Sequence, residues 1–67
     1  MDEDDLKMLI IMHIHDNVNQ DAISIFGVFK QHFQGMYDCY TLLDKMVEEK
    51  YLVKDKSNMR TIYTLVK

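Results

Sequence analysis

The sequence has a single cysteine. This argues against a small domain stabilised by a disulfide and against one stabilised by a zinc ion. Cys39 has no second cysteine with which to form an internal disulfide. The three histidines have no further cysteine near them and lack the spacing of a zinc site, so we expect no metal. A buried structural thiol is the interpretation favoured for Cys39 over a reactive nucleophile.

Long apolar runs are also missing. The longest spans residues 8 to 12 and is followed by His13, far below the roughly 20 apolar residues that a membrane-spanning helix needs. No positively charged segment precedes this run, as a secretory signal would require. We therefore expect no membrane partner, and a cytoplasmic location by default.

Sequence signals of catalysis are absent as well. There is no phosphate-binding loop, no cofactor fingerprint and no paired catalytic carboxylates, and the serines lack a nucleophile-elbow context. His13 and His15 point to different sides of a helix and cannot share a metal. The sequence predicts no catalytic residues, no cofactor and no enzyme. A domain this small also leaves little room for a ligand pocket, so no small-molecule ligand is expected.

What the chain does have is the composition of one folded domain spanning residues 1–67. Of its residues 48% are hydrophobic and 28% are charged, which is a globular balance. Residues 1 to 38 carry seven acids and two lysines, a net charge of −5, whereas residues 39 to 67 carry six bases and four acids, a net charge of +2. The overall charge of −3 argues against indiscriminate nucleic-acid binding, but a polyanion responds to the local face.

The N-terminal residues predict an amphipathic helix that begins with acidic residues, with Asp2 as its cap. One apolar stripe at helical spacing contains Leu6, Leu9, Ile10, His13 and Ile14. A second stripe on the opposite face contains Met8, Ile11 and Met12. Two interpretations stay open for the second stripe: it meets another chain, or the helix is sandwiched within the monomer.

A turn over residues 16 to 19, with Val18 as a very short strand, precedes a second helix capped by Asn19 or Asp21. The core stripe of this helix contains Ala22, Ile25, Phe26, Phe29 and Phe33. Gly27 predicts a close approach or a kink, and Gly35 predicts a left-handed end to the helix.

A third helix is expected from Met36 or Cys39 to Lys50, and a hairpin follows it. The inward face of the helix contains Tyr40, Leu43, Met46 and Val47. The hairpin strands are predicted at residues 51 to 54 and 61 to 66, rich in β-branched and aromatic residues, with a turn over residues 55 to 60.

The order of these elements is that of an α+β winged helix-turn-helix domain, with three helices followed by a C-terminal β-hairpin wing. The stretch from Leu43 to Val53 resembles the "LxxLxxxGYL" signature of winged-helix regulators. Together with Tyr40 and residues 60 to 65, it resembles the PadR-like group, well over residues 36 to 66 and only in pattern over residues 3 to 35. Lys50 stands where that group has glycine, and Asp38, which we interpret as a cap, stands where it has a small polar residue.

The resemblance implies a transcriptional regulator, such as a repressor, that binds double-stranded DNA with its third helix in the major groove and its wing on the backbone. The implied DNA-binding residues are Tyr37, Thr41, Lys45, Lys54, Lys56, Ser57, Asn58 and Arg60. The long dimerisation helix of PadR-like proteins has no counterpart here, so the expected homodimer uses the first helix through Met8, Ile11, Met12 and His15. The alternative is a winged-helix module that binds protein and not DNA, which suits the net charge and the carboxylates of the third helix.

Overall fold

The computed structural model describes residues 2–57 and 59–66, with Ser57 described by its backbone alone. Helices and one short strand alternate in the first half of the chain. In chain order the elements are α1 (Glu3–Asp16), β1 (Gln20–Asp21), α2 (Ala22–Phe29), a 3₁₀ turn (Lys30–His32), α3 (Met36–Glu48), β2 (Leu52–Ser57) and β3 (Arg60–Leu65). The structure is therefore a small α+β domain, as the sequence predicts. None of the described helices has the length and apolar character required to cross a bilayer.

The three strands form one antiparallel sheet in the order β1-β3-β2. The predicted hairpin is confirmed, with Leu52 opposite Leu65 and Ser57 opposite Arg60. Its turn is shorter than predicted, because both strands extend further and place Lys56 and Arg60 within strands. Asn58 lies outside the described residues. The short strand predicted at Val18 is found two residues later, where Gln20 pairs with Tyr63.

The core lies between the sheet and the inner faces of the three helices. Its fully buried members include Ile10, Ile25, Leu43, Met46 and Tyr63, each 0% exposed. The predicted stripe of α2 is confirmed: Ala22, Ile25 and Phe29 are buried, and Phe26 and Phe33 pack against them.

Two residues predicted to face the core are largely exposed. Leu9 is 37% exposed and Tyr40 is 45% exposed. Both stand at the edge of the apolar stripe of their helix, where a rotation of a few tens of degrees separates core from rim. On α3, Cys39 and Leu42 are buried in the core. Tyr40 was predicted to be buried with this face of the helix.

The second apolar stripe of α1 is split by the fold. Met8 and Met12 are each 57% exposed, whereas Ile11 is partly buried against the core. A helix sandwiched on both sides within the monomer is therefore the wrong interpretation for the two methionines. They form an exposed apolar face of α1.

The helix ends are set by side-chain and backbone geometry. Asp2 occupies the N-cap of α1, although its side chain makes no capping bond. Asp21 caps α2 by accepting a hydrogen bond from the backbone N–H of Ser24 at 2.8 Å. Asp38, interpreted as a cap, is not the N-cap of α3, which is Gly35; its carboxylate instead accepts from the backbone N–H of Gln34 at 3.1 Å, before the helix begins.

The prediction for Gly35 is wrong, and the close approach predicted at Gly27 is not found. Gly35 does not end a helix in the left-handed region; its φ of 176° is extended, and it is the N-cap of α3. A side chain at Gly27 would meet no atom within 4 Å, so no close approach explains that glycine. Left-handed backbone occurs instead at Lys50, with φ 68°. Lys50 thus takes a conformation that glycine adopts more easily, and this costs about 1 kcal/mol.

Candidate nucleic-acid interface

The outward face of α3 has one exposed row of side chains. Tyr37, Thr41, Asp44 and Glu48 follow one another at spacings of four and three residues, which places them in line on a helix. Tyr37 is 83% exposed. The hydroxyl of Thr41 donates to the carbonyl oxygen of Tyr37 at 2.8 Å, inside the helix. This row combines two polar side chains with two carboxylates.

Lys45 lies on the α1 side of this row. Its ammonium group donates to the carboxylate of Glu3 at 2.9 Å. A shallow cleft between α1 and α3 is lined by Thr41 and Lys45 together with Glu3 and Asp38. The ion pair with Lys45 holds the pKa of Glu3 below its ordinary value. The surroundings of Lys45 are therefore acidic.

The hairpin lies on the other side of the row, and two of its cations are engaged there. Lys54 donates to the carboxylate of Asp44 on α3 at 3.1 Å. Arg60 donates to the carboxylate of Asp21 at the start of α2 at 3.0 Å. Within the described chain, Lys56 has no ion pair. These contacts fasten the hairpin to both neighbouring helices.

The predicted DNA-binding residues that the structure describes lie in separate groups and do not form one positive strip. Lys54, Lys56 and Arg60 share a cleft with Tyr40, whereas Lys45 and Thr41 face α1. Asp44 and Glu48 stand between the two groups on the exposed row. Ser57 has only its backbone described, and Asn58 lies outside the described residues.

The residues predicted for a dimer interface share the outer side of α1. Met8, Met12 and His15 are exposed, and Ile11 is half-buried. His15 contacts the carboxylate of its neighbour Asp16 at 3.2 Å. The four side chains therefore offer an apolar surface with a polar end.

Two features of the structure have no clear signal in the sequence. Lys7 is 8% exposed on α1, and its ammonium group donates to Glu49 at 2.7 Å; this contact raises the pKa of Lys7. Tyr63 is 0% exposed, and its hydroxyl has no hydrogen-bond partner among the residues the structure describes. Lys7 and Glu49 are 42 residues apart, so no periodicity in the sequence indicates that they pair. Tyr63 lies in a strand pattern that does not distinguish it from its neighbours.

Cys39 occupies an inert environment. Its thiol is buried near the carbonyl oxygen of Ala22, at 3.9 Å. Burial raises the pKa of Cys39 to about 11, so the thiolate that nucleophilic chemistry needs is scarce at neutral pH. The geometry matches the interpretation of Cys39 as a structural thiol.

Comparison of the chain with family models, with curated proteins and with solved structures gives no match. The winged-helix interpretation therefore depends on the order of the elements and on the residues themselves.

Proposed function

We propose that this domain is a small DNA-binding regulator of the winged-helix type, with α3 facing the major groove and the hairpin beside it on the backbone. The observation that carries the proposal is the position of the hairpin. Lys54, Lys56 and Arg60 line a single cleft next to Tyr40 on α3. Flexible cations on a hairpin beside an exposed helix suit phosphate contacts flanking a groove.

The ion pairs of these cations limit the affinity but do not prevent binding. Lys45, Lys54 and Arg60 are each engaged by a carboxylate of the same chain. Exposed pairs of this kind contribute only about 0–1 kcal/mol. Phosphates that release condensed counterions can displace such carboxylates. One protomer then offers about four phosphate contacts, fewer than the roughly 6–10 made by strongly salt-dependent binders.

The test is a titration of fluorescent duplex DNA at two salt concentrations. With about four contacts, the slope of log K against log salt is about −3.6, so affinity falls roughly 150-fold between about 50 and 200 mM salt. Lys56→Gln removes one contact and reduces this fall to roughly 40-fold. Lys30→Gln is the matched control, because Lys30 is exposed on the 3₁₀ turn and is not among the hairpin residues. Absence of binding at the lower salt would refute the proposal.

A homodimer through α1 completes the proposal. Two copies related by a dyad would double the number of cations and read half-sites about 34–36 Å apart. Met8 and Met12 are exposed at 57%, so Met8→Glu should shift sedimentation toward the monomer without unfolding the chain. Val28→Glu is the control on α2, where Val28 is 53% exposed. A strict monomer at high micromolar concentration would refute the dimer.

A second candidate, a protein-binding module, is favoured by the charge of α3. Asp44 and Glu48 occupy the exposed row, and carboxylates there repel phosphates while attracting a partner protein with a basic face. The two candidates predict opposite signs for the same variant. Asp44→Asn should strengthen DNA binding, since it removes a negative charge and releases Lys54. The same substitution should weaken the binding of a basic protein.

A further inference from the structure

A cleft of about 350 Å³ opens between the start of α2, α3 and the hairpin. Its walls include three exposed apolar side chains, Ile23, Tyr40 and Met59, which are 69%, 45% and 105% exposed. A volume of this size is at the lower end of the range of small-molecule sites, about 300–1,000 Å³. The cleft is thus large enough for a small organic molecule.

Tyr63 is the most deeply buried residue that lines this cleft. The strand register places Lys54 opposite Tyr63 and Lys56 opposite Thr61, so these four side chains share one face of the sheet. The Tyr63 hydroxyl has no hydrogen-bond partner within residues 2–57 and 59–66. Buried polar groups normally have a partner; this hydroxyl is covered in the structure, and Tyr63 is among the residues that line the cleft.

The protonation state of Tyr63 defines what that ligand must offer. Burial, with Asp44 and Tyr40 nearby, raises the pKa of Tyr63 to about 12. The phenol therefore keeps its proton at neutral pH and acts as a donor. A ligand group that accepts this hydrogen bond satisfies the hydroxyl.

The charges around the cleft favour an anion as the acceptor. Lys54, Lys56 and Arg60 line it, against Asp21 as the acidic lining residue. Lys54 and Arg60 are engaged by carboxylates, whereas Lys56 has no ion pair in the described part of the chain. Lys56 is therefore the cation available to a bound anion.

We propose that this cleft binds a small organic carboxylate with a flat apolar body. The carboxylate pairs with Lys56 and, by displacing the side chains that cover the Tyr63 hydroxyl, accepts its hydrogen bond, while the body packs against Ile23 and Tyr40. Inorganic phosphate should not bind in this way because it lacks the apolar body, and a neutral amide should not because it lacks the negative charge. This inference concerns the same cleft as the proposed DNA contacts but a different ligand, and it departs from the sequence-based expectation of no small-molecule ligand.

The test uses the full chain and benzoate as the probe, followed by ¹H–¹⁵N NMR. We expect saturable shifts at the amides of Ile23, Tyr40, Lys56 and Tyr63, with a Kd on the order of 1 mM. Benzamide and inorganic phosphate should produce no saturable shifts at these amides. Equal shifts with benzamide, or none with benzoate, would overturn the proposal.

Two variants separate the roles of the hydroxyl and the cation. Tyr63→Phe keeps the ring and should weaken benzoate binding at least about tenfold, the factor expected for losing a hydrogen bond to a charged group. Its Tm should stay equal or rise, because the removed hydroxyl has no partner among the residues that the structure describes. Lys56→Gln should also weaken binding, whereas Lys30→Gln should not. Wild-type affinity in Tyr63→Phe, or loss of its fold, would show that the hydroxyl is not held for a ligand.

Discussion

Asp21 joins two parts of the domain, and its replacement offers the sharpest test of the fold. Its carboxylate caps α2 through Ser24 at 2.8 Å and binds Arg60 of the hairpin at 3.0 Å. Loss of an N-cap costs about 1 kcal/mol, and loss of an exposed ion pair costs about 0–1 kcal/mol. Asp21→Ala should therefore destabilise the domain by about 1.5 kcal/mol, out of roughly 3–10 kcal/mol in total.

Thermal unfolding followed by circular dichroism measures this loss. In a domain of this size 1 kcal/mol shifts Tm by about 4–8 °C, so Asp21→Ala should lower Tm by roughly 6–12 °C. Asp21→Asn is the matched comparison, because asparagine caps a helix as well as aspartate does but carries no charge. It should lose only the ion-pair contribution, at most about 1 kcal/mol. Equal losses in the two variants would refute the assignment of the cap.

Three further outcomes follow from the structure. Hydrogen bonds from the backbone N–H and the hydroxyl of Ser24, and then from Arg60, lower the pKa of Asp21 below its ordinary value of 3.8. The stability that the Asp21 carboxylate contributes is present above the unfolded pKa and is lost as the pH falls through the lowered folded pKa. The Tm of Asp21→Asn should therefore fall less between pH 5 and 2 than the Tm of the wild type. Lys50→Gly should raise or preserve the free energy of unfolding, because Lys50 has φ 68°, whereas Glu48→Gly at the end of α3 should cost about 1 kcal/mol in denaturant titrations. Cys39 should react with a thiol reagent at pH 8 far more slowly in the native chain than after denaturation; equal rates would contradict its burial.

The sequence predicted the elements well where local chemistry decides them. The strands of the hairpin were predictable because residues 61 to 66 are almost all β-branched, aromatic or aliphatic. The sequence predicted Asn19 or Asp21 as the cap of α2. In the structure the cap is Asp21, whose carboxylate accepts a hydrogen bond from the backbone N–H of Ser24. The error at Gly35 has a physical origin: the chain leaves α2 through a 3₁₀ turn over Lys30–His32, so the glycine is left to begin α3.

The sequence predicted which cations the hairpin carries but not the ion pairs that surround them. The cations of the hairpin were identified from their position between two strands. The carboxylates that pair with the cations were not predicted: Arg60 of the hairpin and Asp21 are 39 residues apart, and Lys45 of α3 and Glu3 are 42 apart. Only the tertiary fold brings such residues together. The same reason explains why Tyr63 was not predicted as a site residue, since its cleft is formed by three separate elements.

Three ion pairs join different elements of the domain, and a substitution of their cations must be interpreted with these contacts in mind. Lys45 joins α3 to α1, Lys54 joins the hairpin to α3, and Arg60 joins the hairpin to α2. A 67-residue chain has a small core, so even weak contacts between elements are a noticeable share of its stability. Replacing one of these cations therefore changes the stability of the domain in addition to any phosphate contact that the proposed function assigns to it. Lys56 has no ion pair in the described residues, so its substitution reports on binding with the least structural cost.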